Sequence, residues 1–269
     1  MKRAYFVAIL AAIFMASSAK AAEVVLLHAA GSLRGALTDI SKSFEAVTGL
    51  KIQAKYGASE LLKDEIAAGA RAEVFTSANM EHPQVLAKAN KSEPVVLFAR
   101  NKLCALVRPG LKVTSVTLLD KMLDAKVKLG TSTPKADPSG DYAFEVFRKA
   151  ETIKMGTQTE LEKKALLLTG GPSSAAAPAG RSVYGWNVAE GRADIFLTYC
   201  TGAVVAMKEN PGQQMVALPE ALSVSADYGL TVISEASPGA YKFALFILSP
   251  EGQHILAEHG FSALGIAAK

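Results

Sequence analysis

The stretch VVLLHAAGSLRGALTDISKSFEAVTGLKIQAKYGAS, residues 24–59, contains one strand–helix–strand unit that indicates the fold of the whole chain. Residues 24–29 form an apolar run of the length expected for a buried strand. The apolar side chains that follow recur every three or four positions, which predicts one face of a helix: Leu33, Leu37, Ile40, Phe44 and Val47. Gly49 is typical of a helix C-terminal cap, and residues 51–56 alternate between polar and apolar side chains like a strand.

The alternation of strand and helix continues to the end of the chain. Further strands are predicted over residues 73–77, 95–98, 103–107, 127–130, 194–199 and 229–233. Further helices are predicted over residues 60–68, 118–123, 142–149, 159–168, 183–190, 203–208, 240–248 and 253–258. Repeated strand–helix units predict an α/β fold, in which helices cover both faces of a mostly parallel sheet. The pattern restarts near residue 103, which favours two lobes.

The first residues carry the pattern of a secretory signal peptide. Lys2 and Arg3 precede an apolar run over residues 4–16, and the A-K-A at residues 19–21 is typical of a cleavage site. We therefore predict cleavage after Ala21 and a periplasmic location. A membrane anchor is the alternative, but the apolar run is shorter than the roughly 20 residues that a membrane-spanning helix needs.

Composition narrows the class of protein further. Lys and Arg number 29 against 25 Asp and Glu, and the predicted cleavage removes three basic residues and no acidic one, which leaves 26 against 25. A mature chain this close to neutrality predicts no nucleic-acid partner. Cys104 and Cys200 are either a disulfide, which an oxidising compartment permits, or two buried free thiols, and their spacing does not decide between these states.

Three turns between a strand and a helix are small and carry a serine. They read Ala-Ala-Gly-Ser-Leu at residues 29–33, Tyr-Gly-Ala-Ser-Glu at residues 56–60 and Asp-Pro-Ser-Gly at residues 137–140. The first amides of a helix have no partner within the helix, and its dipole is positive there, so such a turn is suited to an anion. Each serine alone is better explained as an ordinary N-cap, and it is the three turns together that favour an anion site.

An enzyme is the less favoured alternative. Ser32 and His28 suggest a nucleophile and a base, but the G-x-S-x-G pattern is missing and His28 lies within the strand before the turn. His82, His254 and His259 lack metal-ligand spacing to a carboxylate or a cysteine. We therefore predict no catalytic residues and no side chains that bind a metal ion directly.

The three turns resemble those of periplasmic molybdate-binding proteins, the substrate-binding subunits of molybdate ABC transporters. The A-G-S-L at residues 30–33 is similar to the A-A-S-L of that family, and Y-G-A-S at residues 56–59 is similar to its second serine turn. The P-S-G at residues 138–140 resembles its P-A-G. The segments at residues 66–70 and 73–78, and the pairs Gly252-Gln253 and Gly260-Phe261 near the end, extend the resemblance over nearly the whole mature chain.

The resemblance implies a type II periplasmic binding protein fold with two α/β lobes joined by two crossing strands. Lobe I would comprise residues 22–98 and 229–269, and lobe II residues 99–228, which holds both cysteines. It implies a monomer that binds molybdate or tungstate, without a cofactor, for delivery to an ABC transporter permease in the inner membrane. The implied ligand contacts are Ser32, Ser59, the backbone and side chain at Ser139, and the hydroxyl of Tyr199.

The sequence departs from the family in three places. Ser139 replaces the common alanine, and Asn79 replaces an aspartate. A longer loop at residues 170–180 is followed by Arg181, which either reaches the anion with a charge-assisted bond, or points to solvent or pairs with a carboxylate. An arginine in the site would change the preferred anion, so sulfate, thiosulfate or a small organic anion is the alternative ligand.

Overall fold

The computed structural model describes residues 24–264, so the predicted signal peptide lies outside the described residues. The strands are β1 (Val24–Ala30), β2 (Lys51–Gly57), β3 (Val74–Ser77), β4 (Val96–Val107), β5 (Leu129–Ser132), β6 (Leu166–Thr169), β7 (Ile195–Tyr199), β8 (Gln214–Ala217), β9 (Ser225–Val232) and β10 (Ser262–Ala263). The helices are α1 (Arg34–Thr48), α2 (Ser59–Ala67), α3 (Glu81–Lys88), α4 (Leu118–Leu123), α5 (Pro138–Ile153), α6 (Thr157–Lys164), α7 (Val183–Ala189), α8 (Cys200–Glu209), α9 (Pro238–Leu248) and α10 (Pro250–Glu258). Short 3-10 turns lie at Gly31–Leu33 and Glu220–Leu222. The predicted α/β fold is confirmed.

The opening unit forms as its periodicity predicts. The predicted apolar face of α1 is buried through Leu37, Ile40 and Phe44, and the Phe44 ring packs 5.1 Å, between ring centroids, from Phe243 of α9. Gly49 ends the helix in the left-handed region at φ 74°, where a residue without a side chain is least strained. The prediction was wrong for Val47, which is 70% exposed because the last turn of α1 extends beyond the packed face.

The strands form two half-sheets that share β4. The first half-sheet has the order β2-β1-β3-β9, followed by residues 96–102 of β4, and β10 also pairs with β4 there. The second half-sheet begins with residues 103–107 of β4 and continues through β7, β5 and β6, with β8 also on β4. β1 is parallel to β2 and β3, and β5 is parallel to β6 and β7, as helical connections require. The pairings that involve β4 or β9 are antiparallel, so the complete sheet is mixed.

One continuous strand connects the two half-sheets. β4 leaves β9 after Lys102 and takes β7 as its partner from Leu103 onward. The sequence predicted two separate strands here, at residues 95–98 and 103–107, because the polar segment Arg100-Asn101-Lys102 interrupts the apolar pattern. The change of partner lies four residues after the lobe boundary predicted at Phe98, and the division into lobes stays a prediction.

The sequence did not predict three strands, β6, β8 and the two-residue β10. The helix predicted over residues 159–168 ends at Lys164, and Leu166–Thr169 is the strand β6, because these residues pair with β5 at the edge of the sheet. β8 was not predicted at all, and it exists through its pairing with β4. Within residues 24–264, none of the helices combines the length and apolarity needed to cross a membrane.

The structure joins the two cysteines in a disulfide. Cys104 lies on β4, and Cys200 is the first residue of α8, directly after Tyr199. Their Cα atoms are 4.9 Å apart, although the residues are 96 positions apart in sequence. The bond therefore fastens the end of β7 to the strand that runs through both half-sheets.

Candidate functional site

The two serine turns of the first half-sheet lie at one edge. β1 and β2 run in parallel with Ala30 opposite Gly57, so Ser32 and Ser59 follow neighbouring strand ends. The Ser59 hydroxyl is buried and accepts a hydrogen bond from the backbone N–H of Ala78, at 3.1 Å. A hydroxyl that accepts in this way keeps its own hydrogen for another acceptor.

The helices at this edge begin without a side-chain cap. The residue before the 3-10 turn that leads into α1 is Ala30, and the residue before α2 is Ala58, and neither supplies a capping hydrogen bond. Helix α8 of the second half-sheet likewise begins after Tyr199 without a side-chain cap. The first amides of these helices therefore keep the donor capacity and the positive dipole end that favour an anion.

The second half-sheet contributes buried hydroxyls that have no partner. The hydroxyl oxygens of Ser139 on α5, Thr198 on β7 and Tyr199 on β7 are inaccessible to solvent and make no well-formed hydrogen bond, although the Tyr184 phenol lies near Ser139 and Thr198, and the Tyr228 phenol near Tyr199. The great majority of buried polar atoms in folded proteins are hydrogen-bonded, and leaving one unpaired costs about 1–3 kcal/mol. Three unpaired hydroxyls near the carboxyl ends of two strands therefore point to a ligand that accepts hydrogen bonds.

Tyrosines surround these hydroxyls and stay neutral. The Tyr199 ring lies 5.7 Å from that of Tyr228 and 6.3 Å from that of Tyr142, measured between ring centroids. Burial raises the pKa of Tyr199 and of Tyr228 well above the ordinary value, and it raises the pKa of Tyr142 to about 12. Burial also raises the pKa of Tyr184, helped by the negative charge of Asp137. Neutral phenols are hydrogen-bond donors, which suits an anionic ligand.

A chain of polar contacts joins the two half-sheets at this point. The Ser32 hydroxyl lies 3.0 Å from the Tyr228 hydroxyl on β9, and the Asn101 amide on β4 lies 3.5 Å from the same phenol. Asn101 also donates to the Thr201 hydroxyl in the first turn of α8, at 2.8 Å. Ser32 is thereby connected through Tyr228 to the end of β7, where Tyr199 lies.

Asp137 changes the expected chemistry of the third turn. Its carboxylate caps α5 and accepts a hydrogen bond from the Ser139 backbone N–H at 3.0 Å, so that amide is already used. Burial raises the pKa of Asp137 to about 6, against the hydrogen bonds from Ser139 and Ser132 that lower it. Of the two contacts expected at Ser139, the backbone amide is therefore occupied and only the hydroxyl remains for a ligand. The Asp137 carboxylate also adds a hydrogen-bond acceptor to a site of donors.

Arg181 is held away from the serines. Its guanidinium donates to the Asn210 side chain at 2.9 Å and pairs with Glu209 at 3.4 Å, and Glu209 also accepts from the Ser182 backbone N–H at 2.7 Å. Glu209 is the last residue of α8, about 14 Å along the helix from its start beside Tyr199. Of the two arrangements that the sequence left open, the structure has the carboxylate pair, and Arg181 is not among the residues gathered at the site.

The described residues give no support to a nucleophile–base pair. The Ser32 hydroxyl has Tyr228 as its hydrogen-bond partner, and the His28 Nδ1 atom is buried within β1 with no partner. Between residues 24 and 264, no three His, Cys, Asp or Glu side chains are grouped so that they could hold a metal ion.

Sequence reasoning missed Tyr228, Asn101 and the effect of Asp137. Asp137 had a readable signal, because an aspartate directly before a proline is typical of an N-cap followed by the first helical residue. Asn101 interrupts an apolar strand, which also marks a buried polar site. Tyr228 had no local signal, since it lies 196 positions from its partner Ser32.

The comparison with protein families decides the class. A family model described as bacterial extracellular solute-binding protein matches residues 25–262. The chain belongs to this family. The solute-binding protein is also 30% identical over 207 residues to an uncharacterized protein of Pasteurella multocida (strain Pm70), and the match covers 77% of this chain and 86% of the relative.

Solved structures share the fold of the solute-binding protein. The periplasmic molybdate-binding protein of Azotobacter vinelandii superposes with a TM-score of 0.72 at 18% identity, over 91% of this chain and 100% of that one. The sulfate-binding protein of Mycobacterium tuberculosis H37Rv superposes with a TM-score of 0.73 at 17% identity, over 90% of this chain and 88% of that one. Identities this low show the fold alone, and the two neighbours are named for different ions.

Membership of the family also fixes the general role. Proteins of this kind bind small ligands and work with ABC transporter permeases, and an extracellular solute-binding family implies a periplasmic location.

Proposed function

We propose that this solute-binding protein holds a tetrahedral oxyanion, molybdate or tungstate, between its two lobes and delivers it as a monomer to an ABC permease in the inner membrane. One observation supports the proposal: the buried hydroxyls of Ser139 and Tyr199 lack well-formed hydrogen bonds, and the Tyr199 ring lies 5.7 Å from that of Tyr228, whose hydroxyl contacts Ser32 in the uncapped first turn. Hydroxyls and free amides together are donors that a fully ionised oxyanion satisfies.

Each residue makes a separate contact in the proposed ligand shell, by which we mean the groups that donate hydrogen bonds to the anion. Ser32 and Ser59 donate their hydroxyls and mark the free amides of the first half-sheet. Ser139 donates a hydroxyl where its backbone amide is taken by Asp137. Tyr199 donates a phenol from the end of β7, a strand end that the neighbouring disulfide fastens.

The arginine that follows the first serine turn is engaged with a tyrosine ring. Arg34 begins α1, and its guanidinium carbon lies 4.5 Å from the centre of the Tyr56 ring, over its face. Arg181 is paired with Glu209. We therefore propose recognition by neutral donors and without a cofactor, in which hydrogen-bond geometry and the size of the site select the anion.

Asp137 favours a second candidate ligand. A carboxylate beside the donors is an acceptor, so the site also suits an anion that carries a hydrogen. Such an anion joins sulfate and thiosulfate as an alternative ligand. A small organic anion with a hydroxyl group would meet this requirement.

Calorimetric titration tests the proposal. We expect heat of binding with molybdate and tungstate at micromolar protein, and weaker or absent binding of sulfate and phosphate. Absence of heat with molybdate and tungstate, together with tight binding of sulfate or an organic anion, would favour the second candidate. Absence of heat with every anion would contradict oxyanion binding altogether.

A further inference from the structure

The Asp137 carboxylate occupies a fixed position that the proposed ligand shell does not use. One side of it is held by the Ser139 backbone N–H, at 3.0 Å. The other side faces Gly170, the residue after β6, where an added Cβ atom would lie 2.6 Å from the second carboxylate oxygen. The backbone at Gly170 therefore packs directly against the carboxylate, which is held on both sides.

The groups around Asp137 bring it no positive charge. Ser132 at the end of β5 donates a hydrogen bond to it, and Asp141 on α5 adds a second negative charge that raises the pKa of Asp137. Tyr184 from α7 and Tyr199 from β7 face it as neutral phenols. Among the described residues, no basic side chain contributes to the pKa of Asp137.

The acidic neighbour is itself surrounded by residues from the other half-sheet. Burial raises the pKa of Asp141, which His82 on α3 lowers while Glu60 on α2 and Glu81 raise it. Burial lowers the pKa of His82, whose Nδ1 atom lies 2.9 Å from a Glu60 carboxylate oxygen, so this histidine is already paired with another acid.

We propose that Asp137 is a specificity-determining residue that takes up a proton when a full dianion binds, so that the dianion and one proton enter the site together. The inference rests on the proposed oxyanion site and adds a requirement to it. A dianion placed against the hydroxyls of Ser139 and Tyr199 lies next to the carboxylate, and a neighbouring like charge disfavours its ionised form. Asp137 is partly buried, and desolvation has already raised the pKa of its carboxyl in the same direction.

Selectivity then depends on pH. The pKa of the unliganded carboxyl is about 6. Above this pH, each further pH unit lowers the affinity for a full dianion such as sulfate or molybdate by up to about tenfold, because a proton must be taken from solution. Monohydrogen phosphate carries its own hydrogen, which the ionised carboxylate accepts, and its affinity stays level. The protein discriminates least against phosphate at high pH.

Proton uptake is measured by titrating the mature protein with sodium molybdate, sodium sulfate and sodium phosphate between pH 6.5 and 8.5, in pairs of buffers with different ionisation enthalpies. We expect about one proton taken up per dianion at pH 7.5 and no net uptake with phosphate, whose dihydrogen form releases a proton when it binds as the monohydrogen ion. Asp137→Asn should bind the dianions without proton uptake and with affinity that no longer falls with pH. Asparagine is also a favoured N-cap, so the start of α5 is preserved.

The matched control is Glu145→Gln, an acid-to-amide change on the same helix at a residue paired with Arg148. It should keep the proton uptake of the native protein. Dianion binding without proton uptake in the native protein, or unchanged pH dependence in Asp137→Asn, would overturn the inference while leaving the proposed function intact. No binding of any oxyanion at any pH would overturn the proposed function and the inference together. If Asp137→Asn does not fold, the proton count of the native protein decides alone.

Discussion

The serine turns of the two half-sheets look alike in sequence but begin their helices in different ways. In the first half-sheet, Ala30 and Ala58 precede the helical turns and leave the first amides uncapped. In the second, the Asp137 carboxylate accepts the hydrogen bond of the Ser139 amide, which is then not available to an anion. The first half-sheet therefore offers backbone amides, whereas the second offers side-chain hydroxyls and an acid.

A small Ser-containing turn therefore does not by itself define an anion site. The residue before the turn decides whether the helix dipole is available or already neutralised. It also explains why proton uptake is expected only from the second half-sheet. The experiments below test this contrast.

The largest effect is expected from adding one methyl group to each type of turn. An added Cβ at Gly140 would lie 2.5 Å from the Thr133 carbonyl carbon and 2.6 Å from the Pro134 nitrogen, which are backbone atoms that cannot rotate away. Gly140→Ala should lower the free energy of unfolding by about 3 kcal/mol. The same change at Gly31 meets only the Gly57 carbonyl oxygen at 3.8 Å and should cost less than about 1 kcal/mol. Urea unfolding of both variants gives the comparison, and equal losses would contradict it.

Removing the acid should change stability with a defined sign. The pKa of Asp137 is raised to about 6 in the folded protein from an ordinary 3.8, so the folded state holds the proton more tightly than the unfolded state. This contribution to stability is complete below pH 3.8 and is lost as pH rises through 6. Asp137→Asn does not titrate, so at pH 8 it should be more stable than the native protein, by at most about 3 kcal/mol. Thermal melting at pH 8 and pH 4 should show the advantage only at pH 8.

Tyr199 should separate binding from folding. Its hydroxyl is buried without a partner, so Tyr199→Phe should leave the free energy of unfolding unchanged or slightly higher. The same change removes a hydrogen bond to a charged ligand and should weaken oxyanion binding by roughly 10- to 100-fold. Tyr241→Phe, at an exposed phenol bonded to Glu93, is the matched control and should not alter affinity. Equal affinity of Tyr199→Phe and the native protein would exclude Tyr199 from the shell.

Arg181 should give the smallest effect. Arg181→Ala breaks an ion pair in which its side chain is 41% exposed, so it should lower the free energy of unfolding by less than about 1 kcal/mol. Because the guanidinium is bound to the far end of α8, oxyanion affinity should stay within about twofold of the native value. A loss of tenfold or more in calorimetric titration would bring Arg181 back into the site.

Much of the fold could be predicted from the sequence because it depends on local residue patterns. The spacing of Leu37, Ile40 and Phe44 predicted α1 and its buried face, and Gly49 predicted its end. The strand β6 was not accessible, because three leucines after a helix fit either structure until pairing with β5 decides.

The candidate site was predictable only in part. Ser32, Ser59, Ser139 and Tyr199 were proposed from turns and resemblance; Ser32 and Ser59 follow strand ends, Tyr199 ends β7, and Ser139 lies in the first turn of α5. The Tyr228 contact with Ser32 depends on chain folding over 196 positions, and the raised pKa of Asp137 depends on burial. Neither the long-range contact nor the degree of burial can be inferred from a local sequence pattern.

The central claim, that an oxyanion is held between the two half-sheets by these hydroxyls, is tested most directly by a crystal structure of the mature protein grown with tungstate. Anomalous scattering from tungsten locates the anion without assumption. We expect one strong peak whose oxygens lie about 2.6–3.2 Å from the hydroxyls of Tyr199, Ser139 and Ser32. A peak elsewhere on the protein, or none at saturating tungstate, would contradict the account.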